Sequence, residues 1–219
     1  MFKNFSTSLI GSMPRSNELL ELKEKAKKDN SLKDRYLEKL KEETKNVILL
    51  QKECGLDVPV SGELGRDNFV SYVAEHVDGI ELMSMDEILE ITTDSDSFNE
   101  SLNQMDASDN SMNNPICVGK IDTDTPLDEL ELELLKEYSP ESFKITLPSP
   151  YILTRSMWLK EVSKNGYKNR EELGEDVVKL ILNETKRLIA NGAKVIQYDE
   201  PIISEVVFSR DQGSDNSFY

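Results

Sequence analysis

Cysteine and histidine are nearly missing from this sequence. Only Cys54 and Cys117 carry thiols among 219 residues, and they stand far apart. Two distant cysteines make no disulfide framework, so a reducing cytoplasm is the expected setting. The lone histidine, His76, has no cysteine or carboxylate at ligand spacing, so it reads as a surface residue and the chain itself offers no metal site. Basic charge is scarce as well: 26 Lys and Arg face 42 Asp and Glu, a formal net charge of −16. A surface of that sign repels phosphate backbones and argues against nucleic acid as a partner. Long apolar runs are absent. None approaches the roughly 20 residues that cross a bilayer, and residues 1–9 lack the basic start and apolar core of a leader peptide, so no membrane association is expected.

What the sequence does have is an alternation of apolar strands and amphipathic helices. It is clearest at residues 194–201, Lys-Val-Ile-Gln-Tyr-Asp-Glu-Pro. A long helix predicted over 170–190 puts Leu173, Val177, Leu180, Ile181 and Leu188 on one face, and Asn191-Gly192 stops it. An apolar strand follows and ends in two carboxylates and a proline. In parallel α/β folds, ligands bind at the carboxyl ends of strands. Asp199 and Glu200 therefore read either as a solvated strand end or as part of a site.

The same rhythm runs through the rest. Residues 5–10 predict a strand closed by Gly11-Ser12-Met13-Pro14, a loop of free N–H groups suited to a carboxylate. A helix is expected over 17–27. A second starts near Ser31, with Ser31 and Asp34 as a capping box and Leu37, Leu40, Val47 and Leu50 facing the core. Residues 56–60 predict a strand running into Ser61-Gly62-Glu63, and a helix is expected from Phe69. Residues 92–114, rich in Ser, Asp and Asn, read as a mobile polar insertion rather than a linker. Strands at 116–121 and 143–147, a helix at 127–137 and another from Tyr151 that holds Trp158 complete the pattern. About five strands alternating with helices imply a parallel sheet, and Ser12, Glu63 and Asp199 all fall at strand ends that would converge in a (β/α)₈ barrel.

Three blocks are similar to those of one family, the cobalamin-independent methionine synthases and their shorter relatives. They are Ile10-Gly11-Ser12-Met13-Pro14-Arg15, Gly62-Glu63 with Arg66 and Asp67, and Ile196-Gln197-Tyr198-Asp199-Glu200-Pro201. Leu147-Pro148-Ser149-Pro150 also fits. The resemblance implies a TIM barrel of the methionine synthase and uroporphyrinogen decarboxylase type. It implies methyl transfer from a methyltetrahydrofolate donor to the thiol of homocysteine, with zinc holding the thiolate. It places the substrate carboxylate on Ile10, Gly11 and Ser12 and the ammonium group on Glu63 and Asp199.

The family's zinc ligands (His, Cys, Glu and Cys) lie beyond the Asp-Glu-Pro block, outside this chain. Trp158 stands later than the family's pterin-stacking tryptophan. The expectation is one partial barrel domain over 1–219, cut after about five strands, inactive alone, and completed by a C-terminal segment or partner chain. Its exposed strand edges would leave the chain poorly soluble or oligomeric. Two other readings stand beside it: another thiol alkyl- or methyltransferase on the same barrel, or a metal-free protein that binds an amino acid or thiol without catalysis.

Overall fold

The computed structural model describes residues 4–92 and 113–203, so the expected polar insertion lies outside the described residues except at its two ends. The chain divides into two compact units. The first comprises Met1–Phe69, Pro126–Thr146 and Thr185–Gln197; the second comprises Val70–Thr125, Leu147–Glu184 and Tyr198–Tyr219.

In the first unit, α1 (Asn17–Lys28) begins where the Ser16 hydroxyl accepts the Leu19 N–H. Glu18 in its first turn and Lys25, Lys27 and Lys28 in its last complement the helix dipole. Helix α2 (Lys33–Glu53) starts later than expected. Ser31 does not cap it: it lies within a preceding 3₁₀ turn (Asn30–Leu32) whose cap is the Asp29 carboxylate, accepting the Ser31 N–H at 2.9 Å, and the N-cap position of α2 falls to Leu32. The buried positions of α2 are Leu40, Thr44, Ile48 and Gln51, whereas Leu50 is exposed. Leu19, Leu40 and Leu64 form the local core, with Val47 and Leu130 against it. Leu130 belongs to α4 (Glu129–Tyr138), whose cap is Asp128.

Two expected strands, 5–10 and 56–60, do not form regular strands: Phe5 sits in a turn with φ +64°, and Asp57 and Val58 lie in a bend. Their backbone groups are satisfied by side chains instead of a ladder. The Gln51 amide both donates to the Val60 carbonyl (2.8 Å) and accepts the Val60 N–H (3.0 Å). The Asp57 carboxylate accepts the Thr7 N–H at 2.9 Å. Single backbone bonds still order these segments. The Thr7 carbonyl accepts from Val58, that of Pro59 from Lys144, and that of Phe143 from Lys194. Only β3 (Lys144–Pro148) and β4 (Val195–Asp199) pair as true strands among these segments. The flanking bonds from Lys194 to Phe143 and from Ser149 to Asp199 rise together in number, so β3 and β4 run parallel.

The second unit departs from an all-parallel sheet. Strand β1 (Ile80–Met83), which is not among the expected strands, pairs antiparallel with β2 (Asn114–Cys117), Ile80 opposite Cys117 and Met83 opposite Asn114. The strand expected over 116–121 stops at Cys117, because the Val118 and Gly119 N–H groups both turn to the Gly79 carbonyl. Between β1 and β2 lies α3 (Met85–Ile91), closed by a Ser84–Glu87 capping box. The helix expected from Phe69 is a 3₁₀ turn over Ser71–Glu75. Helix α5 (Pro150–Met157) ends at Trp158 rather than containing it, and α6 (Lys160–Ser163) follows. Ile88, Ile116 and Leu159 pack together at the centre of this unit. Helix α7 (Arg170–Ala190) matches its prediction, with all five expected apolar positions buried.

Gly79 carries a testable consequence. Its φ is +89°, and a Cβ there would collide with the Lys120 backbone carbonyl. Gly79→Ala should destabilise the protein by about 2 kcal/mol or more, from left-handed strain plus displacement of residues 118–121. Thermal melting should register a fall of at least about 4 °C; an unchanged midpoint would show that this crossing is not constrained.

Candidate functional site

Two of the sequence blocks interlock in the first unit. The Met13 N–H donates to the Gly62 carbonyl at 2.9 Å. Arg15 reaches across the same junction, its Nε to the Leu64 carbonyl (3.1 Å) and its Nη2 to the carbonyls of Glu63 (3.1 Å) and Arg66. Gly62 and Glu63 both adopt positive φ, +82° and +55°. For a glutamate that conformation is uncommon and must be imposed by its surroundings. It lays the Glu63 carboxylate over Gly11, where a Cβ would clash with Glu63 Oε1. Of the expected site residues, then, Gly11 and Glu63 are brought together and both are buried, while Ile10 and Ser12 are exposed.

Beneath Glu63 lies a charged cluster centred on Arg66, which is 3% exposed. Its Nε and Nη2 donate to Glu131 Oε2, and its Nη1 donates to the carbonyl (3.1 Å) and hydroxyl (3.0 Å) of Thr146. The Thr146 hydroxyl in turn donates to Glu63 Oε1 at 2.6 Å. Ser61 donates to Glu131 Oε1 at 2.6 Å and accepts the Glu63 N–H at 3.1 Å. Asp128 completes the group 4.0 Å from Arg66 Nε. A small open cleft borders the cluster, lined by Thr44, Ser61, Glu63, Leu64, Asp128 and Glu131 among others.

One guanidinium cannot hold three carboxylates in this setting, and the two on α4 divide the burden. Burial, followed by the nearby Glu131 charge, pushes the Asp128 carboxyl up to about 8, so it stays protonated and hydrogen-bonds to Glu131. Burial also raises Glu131, but Arg66 and hydrogen bonds from Asp128 and Ser61 outweigh it, and the net shift is downward. Arg66 and Glu131 then cancel, which leaves the cluster's single net negative charge on Glu63.

Asp199 and Glu200 belong to the second unit, and the structure separates their roles. Glu200 Oε2 accepts from the Ser149 hydroxyl and from the Ile152 N–H at 3.1 Å, and Oε1 accepts the Ile202 N–H at 3.1 Å. It is a helix cap for α5. Asp199 is half-buried at the end of β4, its backbone carbonyl taken by Ser149.

No zinc-binding set is present among the described residues, where no three His, Cys, Asp or Glu side chains are placed to hold a metal. Cys54 and His76 are exposed. Burial pushes the Cys117 thiol up to about 11, and its Sγ donates to the Gly119 carbonyl, so it is a neutral thiol rather than a ligand.

Sequence reasoning quoted Arg66 without a role and missed Glu131, Asp128 and Thr146. Glu131 carried a usable signal: it shares a helix face with the apolar Leu134 and Leu135. The shared proton is testable. Between the ordinary aspartate range and about 8, folded Asp128 holds a proton that the unfolded chain has lost, so its contribution to stability disappears as pH rises through about 8. Asp128→Asn keeps a neutral donor and the helix cap. Melts from about pH 5 to about pH 9 should therefore show a weaker alkaline loss in D128N than in the wild type. Identical slopes would mean no proton is shared.

Residues 5–219 match the family described as the cobalamin-independent synthase, catalytic domain. A methionine synthase from Sulfurisphaera tokodaii is 30% identical over 200 residues, covering 90% of this chain and 52% of that protein. A 5-methyltetrahydropteroyltriglutamate–homocysteine methyltransferase from Thermotoga sp. strain RQ2 is 27% identical over 202 residues, covering 92% of this chain and 24% of its own length. The chain thus spans about half the length of the first relative and about a quarter of the second. In fold it is similar to a B12-independent methionine synthase from Shewanella sp. W3-18-1, solved in complex with selenomethionine. The TM-score is 0.61 at 18% identity, covering 95% of this chain and 55% of that one. By the match along nearly its whole length, this chain belongs to the family of cobalamin-independent synthase catalytic domains.

Proposed function

We propose that this chain carries the amino-acid-recognition part of a methyltransferase barrel that moves a methyl group from a methyltetrahydropteroyl donor to the thiol of homocysteine. The observation that carries the reading is the Glu63 carboxylate, buried against Gly11 and bearing the uncompensated charge of its cluster. A buried carboxylate with surplus charge is matched by one cation, and an α-ammonium group is a compact cation of the right kind. The resemblance adds Asp199 as a second carboxylate for that ammonium.

The other end of the amino acid falls to the loop of Ile10, Gly11 and Ser12. Among the described residues, no hydrogen bond takes the N–H of Ile10, Gly11 or Ser12. Free amides flanking a buried glycine suit a carboxylate. In the family, zinc supplies an activated thiolate; the described residues do not fit that metal. What these residues do is bind and orient the amino acid. The eight-stranded barrel and the methyl donor belong to the proposal. So do the cytoplasmic setting and a segment that completes the barrel.

Calorimetry with homocysteine and with a simple thiol lacking the amino group tests the assignment. Glu63→Gln and Asp199→Asn should each weaken homocysteine by about 2–5 kcal/mol and leave the simple thiol unchanged. Equal losses for both thiols would remove the carboxylates from ammonium binding. They would favour a binding protein, or a transferase, for a different thiol.

A further inference from the structure

Two polar side chains on one face of β3 lie directly behind the proposed amino-acid site. Lys144 and Thr146 are two apart on a strand, so they point the same way. Both are buried, at 6% and 2% exposure, in a strand whose other residues are apolar or proline. Apolar neighbours do not explain a buried lysine, which needs acceptors to offset its desolvation. Lys144 Nζ finds them in the Leu9 carbonyl, the Ile10 carbonyl (3.0 Å) and Gln197 Oε1 (2.6 Å). Thr146 donates its hydroxyl to Glu63 Oε1 while accepting from Arg66.

The geometry points to β3 as the element that positions both ends of the bound amino acid, a deepening that rests on the function proposed above. In a trans peptide the C=O and N–H point in opposite directions, and no peptide bond among the described residues is cis. By drawing the Leu9 and Ile10 carbonyls toward itself, Lys144 turns the Ile10 and Gly11 N–H groups away, toward the substrate carboxylate. Its charge also polarises those two amides, strengthening them as donors. Thr146 does the complementary task. It fixes one oxygen of Glu63 and relays the Arg66 guanidinium to it, leaving the other oxygen for the ammonium. Lys144 is therefore a positioning residue for the anionic end and Thr146 for the cationic end.

The two roles separate by ligand. Calorimetry on the full chain would use L-methionine, its desamino analogue methylthiobutanoate and its descarboxy analogue methylthiopropylamine. Thr146→Val should weaken methionine and the descarboxy amine by about tenfold or more and spare the desamino acid, while Thr146→Ser restores both. Lys144→Met should do the reverse, weakening the two carboxylates and sparing the amine. Glu63→Gln is the control for the underlying reading. If it leaves the preference for methionine over the desamino acid intact, that reading fails and this inference with it. If Glu63→Gln abolishes the preference but T146V and K144M hold all three ligands within about twofold of the wild type, only the positioning roles are overturned. Equal weakening of all three ligands by either variant would mark a merely structural residue. T146A and K144Q repeat the series if melting shows that the first variants do not fold.

Discussion

A buried guanidinium governs the first unit. Arg66 is almost wholly removed from water, and an ion in that position costs several kcal/mol unless its donors are matched. The match comes from separate parts of the chain: Glu131 from α4, the Thr146 hydroxyl and carbonyl from β3, and Glu63 from the neighbouring loop. Removing any one would strand a charge or a donor, and broken buried pairs typically cost about 3–5 kcal/mol. The cluster is thus a structural clamp that also fixes the Glu63 carboxylate through Thr146.

A second theme is the replacement of ladder bonds by side chains. Gln51, Asp57 and Lys144 each occupy backbone groups that a continuous sheet would pair with another strand. The segments they hold form no regular strand, and irregular backbone can leave N–H groups unclaimed. Among the described residues, those at Ile10, Gly11 and Ser12 are unclaimed, and they sit beside Glu63 through the Gly11 contact. Under the proposed function, an anion-seeking loop and a cation-seeking carboxylate side by side would form a receptor for a zwitterion. Regular strands would have closed off half of it.

The second unit uses more ordinary devices. Glu200 and Ser149 cap α5, a capping box closes α3, and the Tyr167 hydroxyl accepts the Ile121 N–H (3.1 Å) while donating to Asp176 (2.9 Å). Ser163 ties α6 to β2 through the Cys117 carbonyl at 2.9 Å. These contacts fix loop ends without burying an ion, and the apolar packing of Ile88, Ile116 and Leu159 carries the rest.

Helix α7 was legible in the amino acids alone, because its five buried apolar residues recur with the helical period and Asn191-Gly192 breaks it locally. The Ile-Gly-Ser, Gly-Glu and Asp-Glu-Pro blocks were legible too, since each is short and contiguous. Strand pairing was not: β1 has only four residues, and its antiparallel match to residues beyond a long connection is a non-local event. Nor could the sequence separate Asp199 from its neighbour Glu200, whose role as a cap depends on Ser149, some fifty positions away. The Arg66 cluster was hidden for the same reason. A charged residue reads as solvent-facing until folding removes the water, and only then do the distant residues that replace that water become part of the site.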